Sequence, residues 1–324
     1  MTDTVLIIGG SGFIGSQLCQ YFVDDGFKTY SLDTNIQYFF PLTPKNIFNM
    51  NYRHSTLLNG VVSLRGSSLD VNDLRRTILD VRPGYVINLG ALPLAQKAVH
   101  NSEEAFDSIL ASTKNILEVL RDVDFVKNYV HISSSMVYGD FETIPVKVDA
   151  KKSPIEIYGS MKLASEFIVK GYAQRHKIPY SIIRPSAVYG PTDNNRRVLQ
   201  IFIENAMEGK KIIANNPSKN MMDFTFIEDI ASGIKSVALS HKAIGQEFNV
   251  TRGEGRSLSK AMDIIKSYFP NAEFHINEDI ESIYPKRGSL DITKTHNLTG
   301  YTPKYSLEAG IEKYISFIRK GNAS

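Results

Sequence analysis

Val5-Leu6-Ile7-Ile8-Gly9-Gly10-Ser11-Gly12-Phe13-Ile14-Gly15 stands near the start of the chain. Four consecutive apolar residues without polar alternation suit a short parallel strand buried on both faces. They run straight into a glycine turn and then an amphipathic segment, Ser16 to Asp25, which predicts a helix. Strand, glycine turn and helix, in that order, make a cradle for a dinucleotide pyrophosphate. Glycines let the backbone turn tightly and approach the anion, and a helix N-terminus offers it unpaired N–H groups. The next apolar stretch, Lys28 to Leu32, ends at Asp33. A carboxylate there would accept from the adenosine ribose hydroxyls and repel a 2′-phosphate, which points to NAD rather than NADP. A glycine pattern alone is weak; with its strand, its helix and this acid it is specific.

The rhythm continues. Gly60 to Leu64 predicts a strand, Val71 to Asp80 a helix capped by Asp70, Tyr85 to Leu89 a strand, and Glu103 to Asp122 a long helix. Strands alternating with helices of this length imply an α/β fold with a doubly wound parallel Rossmann sheet. Its ligand crevice then lies at the carboxyl ends of the strands.

A second stretch carries the chemistry. Tyr129 to Ile132 predicts a buried strand, and the hydroxyls of Ser133, Ser134 and Ser135 follow at its carboxyl end. Further on, Tyr158 and Lys162 stand four apart, so a helix places them on one face. Tyr-x-x-x-Lys by itself is common on helix surfaces. Facing a crevice, the Lys charge would favour the phenolate, and a Ser hydroxyl could hold a substrate alcohol as its proton leaves.

Composition narrows the classes. The chain has 324 residues, 42% of them hydrophobic, and a formal net charge of +3, with no basic tract interleaved with aromatics, so nucleic acid is not an expected partner. No apolar run approaches the length of a spanning helix and no signal peptide precedes the first strand, so no membrane is expected either. The one cysteine, Cys19, excludes an internal disulfide and suits a reducing, cytoplasmic setting; its place in the first helix reads as packing. The His residues show no metal-site spacing, and no metal is expected.

At this point the residues resemble a known family, the extended short-chain dehydrogenase/reductases, in their nucleotide-sugar epimerase and dehydratase branch, whose UDP-glucose 4-epimerases are the type. The matching pieces are the GGSGFIG turn, Asp33, SSSMVYG, YGSMK, Arg184 to Pro191, Asp223 to Asp229, and Lys286-Arg287-Gly288 followed by Leu290 to Lys294. The resemblance implies that Tyr158 is the general base or acid, and that Lys162 holds the nicotinamide ribose and lowers the Tyr pKa. It places the catalytic hydroxyl, counted back from Val137, on Ser134, with Ser135 beside the substrate. It puts the pyrophosphate on Gly9, Gly12, Phe13 and Ile14, the adenosine ribose on Asp33, and Leu89 and Pro185 beside the nicotinamide ring and its ribose. It also implies two parts: residues 1–190 as the NAD-binding domain, completed by returning segments near 223–250, and residues 191–324 mainly as a smaller C-terminal lobe for the nucleoside-diphosphate sugar. Arg197 and Arg287 stand where this branch often holds the diphosphate, and guanidinium forks suit phosphate oxygens. Helices around Ile109 to Leu120 and Lys162 to Tyr172 correspond to the family's four-helix dimer interface, which implies a homodimer.

Several positions depart from the family pattern. Ser67 stands where an adenine-binding acid is usual and is expected to take its place beside the cofactor, Ile109 and Ala187 replace Asn, Met222 replaces Arg, and Met161 replaces Ser. The losses at Ala187 and Met222 bear mainly on how the sugar nucleotide is held. By the resemblance, a phenolate at Tyr158 takes the proton from a sugar hydroxyl, at C4, as that carbon is oxidised by NAD⁺. The branch's 4,6-dehydratases carry an acid pair directly after the catalytic hydroxyl, where this chain has Ser135 and Met136, so elimination is disfavoured. Three outcomes stay open: a 4-epimerase, which is the first expectation; a net 4-dehydrogenase that releases the 4-keto sugar; and an NAD-binding sensor or scaffold without turnover.

Overall fold

The computed structural model describes residues 3–37, 41–92, 95–278 and 285–323, with side chains to residue 321. The first half alternates β1 (Thr4–Ile8), α1 (Phe13–Asp24), β2 (Lys28–Asp33), α2 (Pro44–Tyr52), β3 (Val62–Arg65), α3 (Val71–Val81) and β4 (Tyr85–Asn88). It continues with α4 (Ala95–His100), α5 (Ser102–Phe106), α6 (Ser112–Leu120), β5 (Asn128–Ile132), α7 (Ile157–His176) and β6 (Tyr180–Arg184). Then come β7 (Val188–Tyr189), α8 (Val198–Met207), β8 (Ile212–Asn215), β9 (Met221–Asp223), β10 (Thr225–Phe226), α9 (Ile227–Leu239) and β11 (Gln246–Asn249). The last elements are β12 (Gly255–Ser257), α10 (Leu258–Tyr268), β13 (Phe274–Asn277), α11 (Thr293–Thr299) and α12 (Leu307–Ala323).

Seven strands form one parallel sheet in the order β3-β2-β1-β4-β5-β6-β11. The chain order reverses between β1 and β4, and that is where a doubly wound sheet opens its ligand crevice. Both faces are covered, as the unbroken apolar run of β1 requires. Val5 and Ile7 join the core shared with α1 and α9, whereas Leu6 and Ile8 point to the other face and pack with Leu74, Ile78 and Ile116. Beyond β6 the chain builds three small pairs, β7 with β10, β9 with β12 and β8 with β13. It returns to the main sheet through α9, which packs on α1, and β11, which pairs with β6.

One expected feature is found and one expected element differs. Asp70 caps α3 through Oδ1, which accepts from the N–H groups of Asn72 and Asp73 at 3.0 Å each. The single helix expected from Glu103 to Asp122 is instead interrupted by a π-type turn, Asp107–Ala111, between α5 and α6. Thr113 Oγ1 donates to Ile109 O at 2.6 Å, competing for the carbonyl that a regular α-helix would reserve for the Thr113 N–H.

Candidate active site

A cavity of about 360 Å³ opens along the carboxyl ends of β1, β2, β4, β5 and β6. Its first wall is the glycine turn. Gly9 adopts φ +81°, where a side chain would be strained, and an added Cβ would lie 2.9 Å from Gly90 N. A Cβ on Gly15 would meet Gly9 O at 2.2 Å, so α1 can start against the strand only with glycine there. Phe13 and Ile14, in the first turn of α1, line the cavity, and such first-turn N–H groups have no intrahelical partner. Asp33 ends β2 beside them; its Oδ2 accepts from Ser11 N at 3.0 Å and its Oδ1 from Asn35 N at 2.8 Å. The carboxylate is thereby aimed while its remaining lone pairs stay open to ribose hydroxyls. This cradle, with N–H donors at one end and an acid at the other, fits NAD.

Gly9, Gly12, Phe13, Ile14, Asp33, Leu89 and Pro185 all line this cavity, as do Ser134, Tyr158, Lys162 and Arg197. Ser67 does not; its hydroxyl accepts from Leu69 N at 3.1 Å, and its neighbours Gly66 and Ser68 face the cavity instead. Ser135 and Arg287 also lie off this wall, where Arg287 Nη1 donates to Ser135 Oγ at 3.3 Å.

The serine cluster divides by burial. Ser133 is 2% exposed and donates to Glu166 Oε1 at 2.6 Å. Ser134 is half-buried, lines the cavity, and its Oγ accepts from Met136 N at 3.2 Å, starting a short 3₁₀ turn over Ser135–Tyr138. Its hydroxyl proton is therefore left for another acceptor. On α7, Lys162 is buried and Nζ donates to Ile132 O at 2.8 Å, the last carbonyl of β5. The same Nζ lies 5.8 Å from the centroid of the Tyr158 ring.

The electrostatics differ from the expectation that Lys162 lowers the Tyr158 pKa. Burial pushes the Tyr158 phenol up to about 12, and the opposing pull comes from the Arg197 guanidinium. Burial also lowers the Lys162 ammonium to about 8, against the favourable charge of Glu166. Lys162 is buried and Tyr158 half-buried in the cavity, and loss of water penalises ammonium and phenolate alike. Arg197 is itself held by Asp193, Nη1 to Oδ2 at 2.6 Å, and its guanidinium carbon stands 5.4 Å from the Phe13 ring centroid.

Beneath the serines lies a buried network that the sequence reading missed. Glu166 accepts from Arg184 Nε at 2.8 Å and Nη2 at 2.6 Å, and Arg184 Nη2 also reaches Glu247. Arg184 Nη1 donates to Tyr138 OH at 3.0 Å, and Tyr138 OH donates to Asn249 Oδ1 at 2.7 Å. Ser133 and Tyr138, on either side of Ser134, are thus tied to one ion pair. Glu166 follows Lys162 by one helical turn, a spacing that could have singled it out. Glu156 was missed as well: it stands at the start of α7, where its charge favours the Arg287 cation against burial.

Two departures have structural consequences. Ala187 lines the cavity at φ +36°, a conformation in which Asn is more at ease than Ala. Met222 packs its side chain against the core, so no cation reaches the cavity from that position. Among the described residues no group of three His, Cys, Asp or Glu side chains could hold a metal, and no helix is long and apolar enough to cross a membrane.

Residues 5–251 match the family described as NAD dependent epimerase/dehydratase. A Methanocaldococcus jannaschii protein provisionally named a UDP-glucose 4-epimerase is 28% identical over 328 residues, which cover 98% of this chain and 99% of that protein. A Salmonella typhimurium dTDP-glucose 4,6-dehydratase is 23% identical, covering 98% of this chain and 91% of its own. Among solved structures, the Bacillus cereus UDP-glucuronic acid 4-epimerase in complex with UDP-glucuronic acid and NAD superposes with a TM-score of 0.87 at 24% identity, over 98% of this chain and 99% of that one.

Proposed function

The chain belongs to the NAD-dependent epimerase/dehydratase family, and on that premise we propose that it is a nucleotide-sugar 4-epimerase, acting at C4 of a nucleoside-diphosphate sugar. Bound in the glycine cradle, NAD supplies the acceptor for the C4 hydride and the means of returning it. The chain's own residues handle the proton. The Ser134 hydroxyl, free to donate, holds the C4 oxygen against Tyr158. Tyr158 takes the hydroxyl proton and later gives it back, acting first as base and then as acid. Lys162, pinned to Ile132 O at 2.8 Å, sets the position of the Tyr ring and the cofactor ribose. Arg197, whose charge opposes the burial of the Tyr158 phenol, favours the phenolate at that step.

What carries epimerisation over dehydration is the pair after Ser134. Ser135 is buried and its Oγ is met by Arg287 at 3.3 Å, while the Met136 thioether has no acidic proton to give. Neither can protonate a leaving hydroxyl, so the 4-keto sugar is left to be reduced again on its other face. Arg287 meets Ser135, the neighbour of Ser134, and we assign it to the diphosphate. The test is to incubate the protein with a panel of nucleotide sugars, without added cofactor, and follow the products by NMR. A C4 epimer formed in catalytic excess supports the reading. A 4-keto sugar formed once per protein, with turnover stopping until an oxidant is supplied, replaces it with a 4-dehydrogenase.

We further propose a homodimer formed through α6 and α7, which pack side by side. Phe167 on α7 is 63% exposed, an apolar ring that a second copy would cover. Size-exclusion chromatography with light scattering checks this, and a monomer overturns it.

A further inference from the structure

Arg53, just past the end of α2, is 8% exposed, yet among the described residues its guanidinium makes no ion pair. Nη1 donates to Ser11 O at 3.2 Å and Nη2 to Thr192 O at 3.0 Å, while the buried Nε has no partner. Two neutral carbonyls, with the more distant charges of Asp193 and Asp33, only partly offset the burial of the guanidinium. The two carbonyls nevertheless belong to segments that matter. Ser11 is in the glycine turn, and Thr192 opens the loop that carries Asp193 and Arg197.

The same helix ties that loop a second time. Asn49 Nδ2 donates to Asn194 Oδ1 at 2.8 Å and to Asp193 O at 3.2 Å, and Asn194 Nδ2 donates to Asn46 O at 3.2 Å. Asp193, 1% exposed, holds Arg197, and Arg197 lies over the Phe13 ring. Met50, Arg53, Asn194, Arg197 and Phe13 all line the cavity. Arg53 reaches, through Ser11 O, the glycine turn that would take the pyrophosphate.

We infer that Arg53 is a cofactor-retention residue: it ties the glycine turn to the 192–197 loop, and the dinucleotide leaves only when that tie opens. This rests on the assignment of the cavity to NAD. It also suits an epimerase, which has to keep its cofactor through turnover, whereas a dehydrogenase has to exchange it.

The test needs no nucleotide sugar, so it stands apart from the fate of the C4 ketone. The protein is loaded with NAD, freed of excess, and mixed with ethanol and abundant alcohol dehydrogenase, which converts each released NAD and reports it at 340 nm. Arg53→Met keeps the length of the side chain and removes the donors and the charge; it should release NAD roughly tenfold faster or more. Asn49→Ala, at a half-buried position, cuts the second tie and should also speed release, by less. A merely structural Arg53 would lower the melting temperature and leave the release rate of the folded protein unchanged. Folded Arg53→Met protein releasing NAD at the wild-type rate overturns the inference. Should that variant not fold, an unchanged rate in Asn49→Ala overturns it instead.

Discussion

The hydroxyl of Ser133 donates to Glu166 Oε1 at 2.6 Å, and this bond leaves Ser134 as the serine of the cavity lining whose hydroxyl proton is open to a ligand. Successive side chains of extended backbone point to opposite sides. With Ser133 turned inward onto the Glu166–Arg184 ion pair, Ser134 is turned outward. Ser134→Ala should therefore reduce turnover on the order of 10²-fold, by loss of the group that holds the reacting oxygen, and cost only about 1 kcal/mol of stability for the lost cap on Met136 N. Ser133→Ala should instead lower stability by about 1–3 kcal/mol, because a buried carboxylate loses a donor. Steady-state rates and urea melts of the two variants check the pair. A larger rate loss at Ser133 would reassign the catalytic hydroxyl.

Tyr158→Phe keeps the ring and removes the proton carrier. Turnover should fall by roughly 10²–10⁴-fold, with circular dichroism unchanged. A variant that retained more than a tenth of the wild-type rate would take Tyr158 out of the chemistry.

Lys162 makes a prediction about pH and stability. Burial lowers its ammonium to about 8 in the folded protein, while in the unfolded chain it returns to its ordinary value near 10.4. Between those two values the unfolded state binds more protons than the folded state, so this group makes stability rise with pH across that window. Below about 8 both states are charged and the full cost of burying the ammonium is felt. Lys162→Met has nothing to titrate there. Denaturant melts at pH 7.5 and pH 10 should show wild type gaining stability relative to this variant as pH rises. The opposite sign would mean that Lys162 is held as a favourable charge.

Glu166→Gln should show how far the buried pair supports the site. It leaves Arg184, itself fully buried, without its bidentate partner, and breaking such a pair costs about 3–5 kcal/mol. Removing the Glu166 charge also removes what opposes the burial of Lys162, so the lysine should titrate lower still. A chemical modification profile of Lys162 against pH reports that shift, and an unmoved profile would place Glu166 in packing alone.

Much of this was legible in the chain because it is written in short-range patterns. The apolar run of β1, the glycine turn and Asp33 lie within one βα unit, and the spacing of Tyr158 and Lys162 is helical. The parts that were not legible join distant segments. Arg53 meets Ser11 across 42 residues of chain and Thr192 across 139, and no local pattern marks it. Ser67 and Ser68 differ by one position in a turn, where the facing of a side chain depends on backbone angles that composition does not reveal. The expectation that Lys162 lowers the Tyr158 pKa treated charge without desolvation, and in this cavity burial outweighs it.

In a 4-epimerase the hydride that leaves C4 returns to C4. A nucleotide sugar deuterated at C4, incubated without added cofactor, tests this most directly. If the chain is a 4-epimerase, the epimeric product formed in catalytic excess carries its deuterium at C4, seen by NMR and mass. Deuterium found at C6 of a deoxy product, or a 4-keto sugar released without its label, would contradict it.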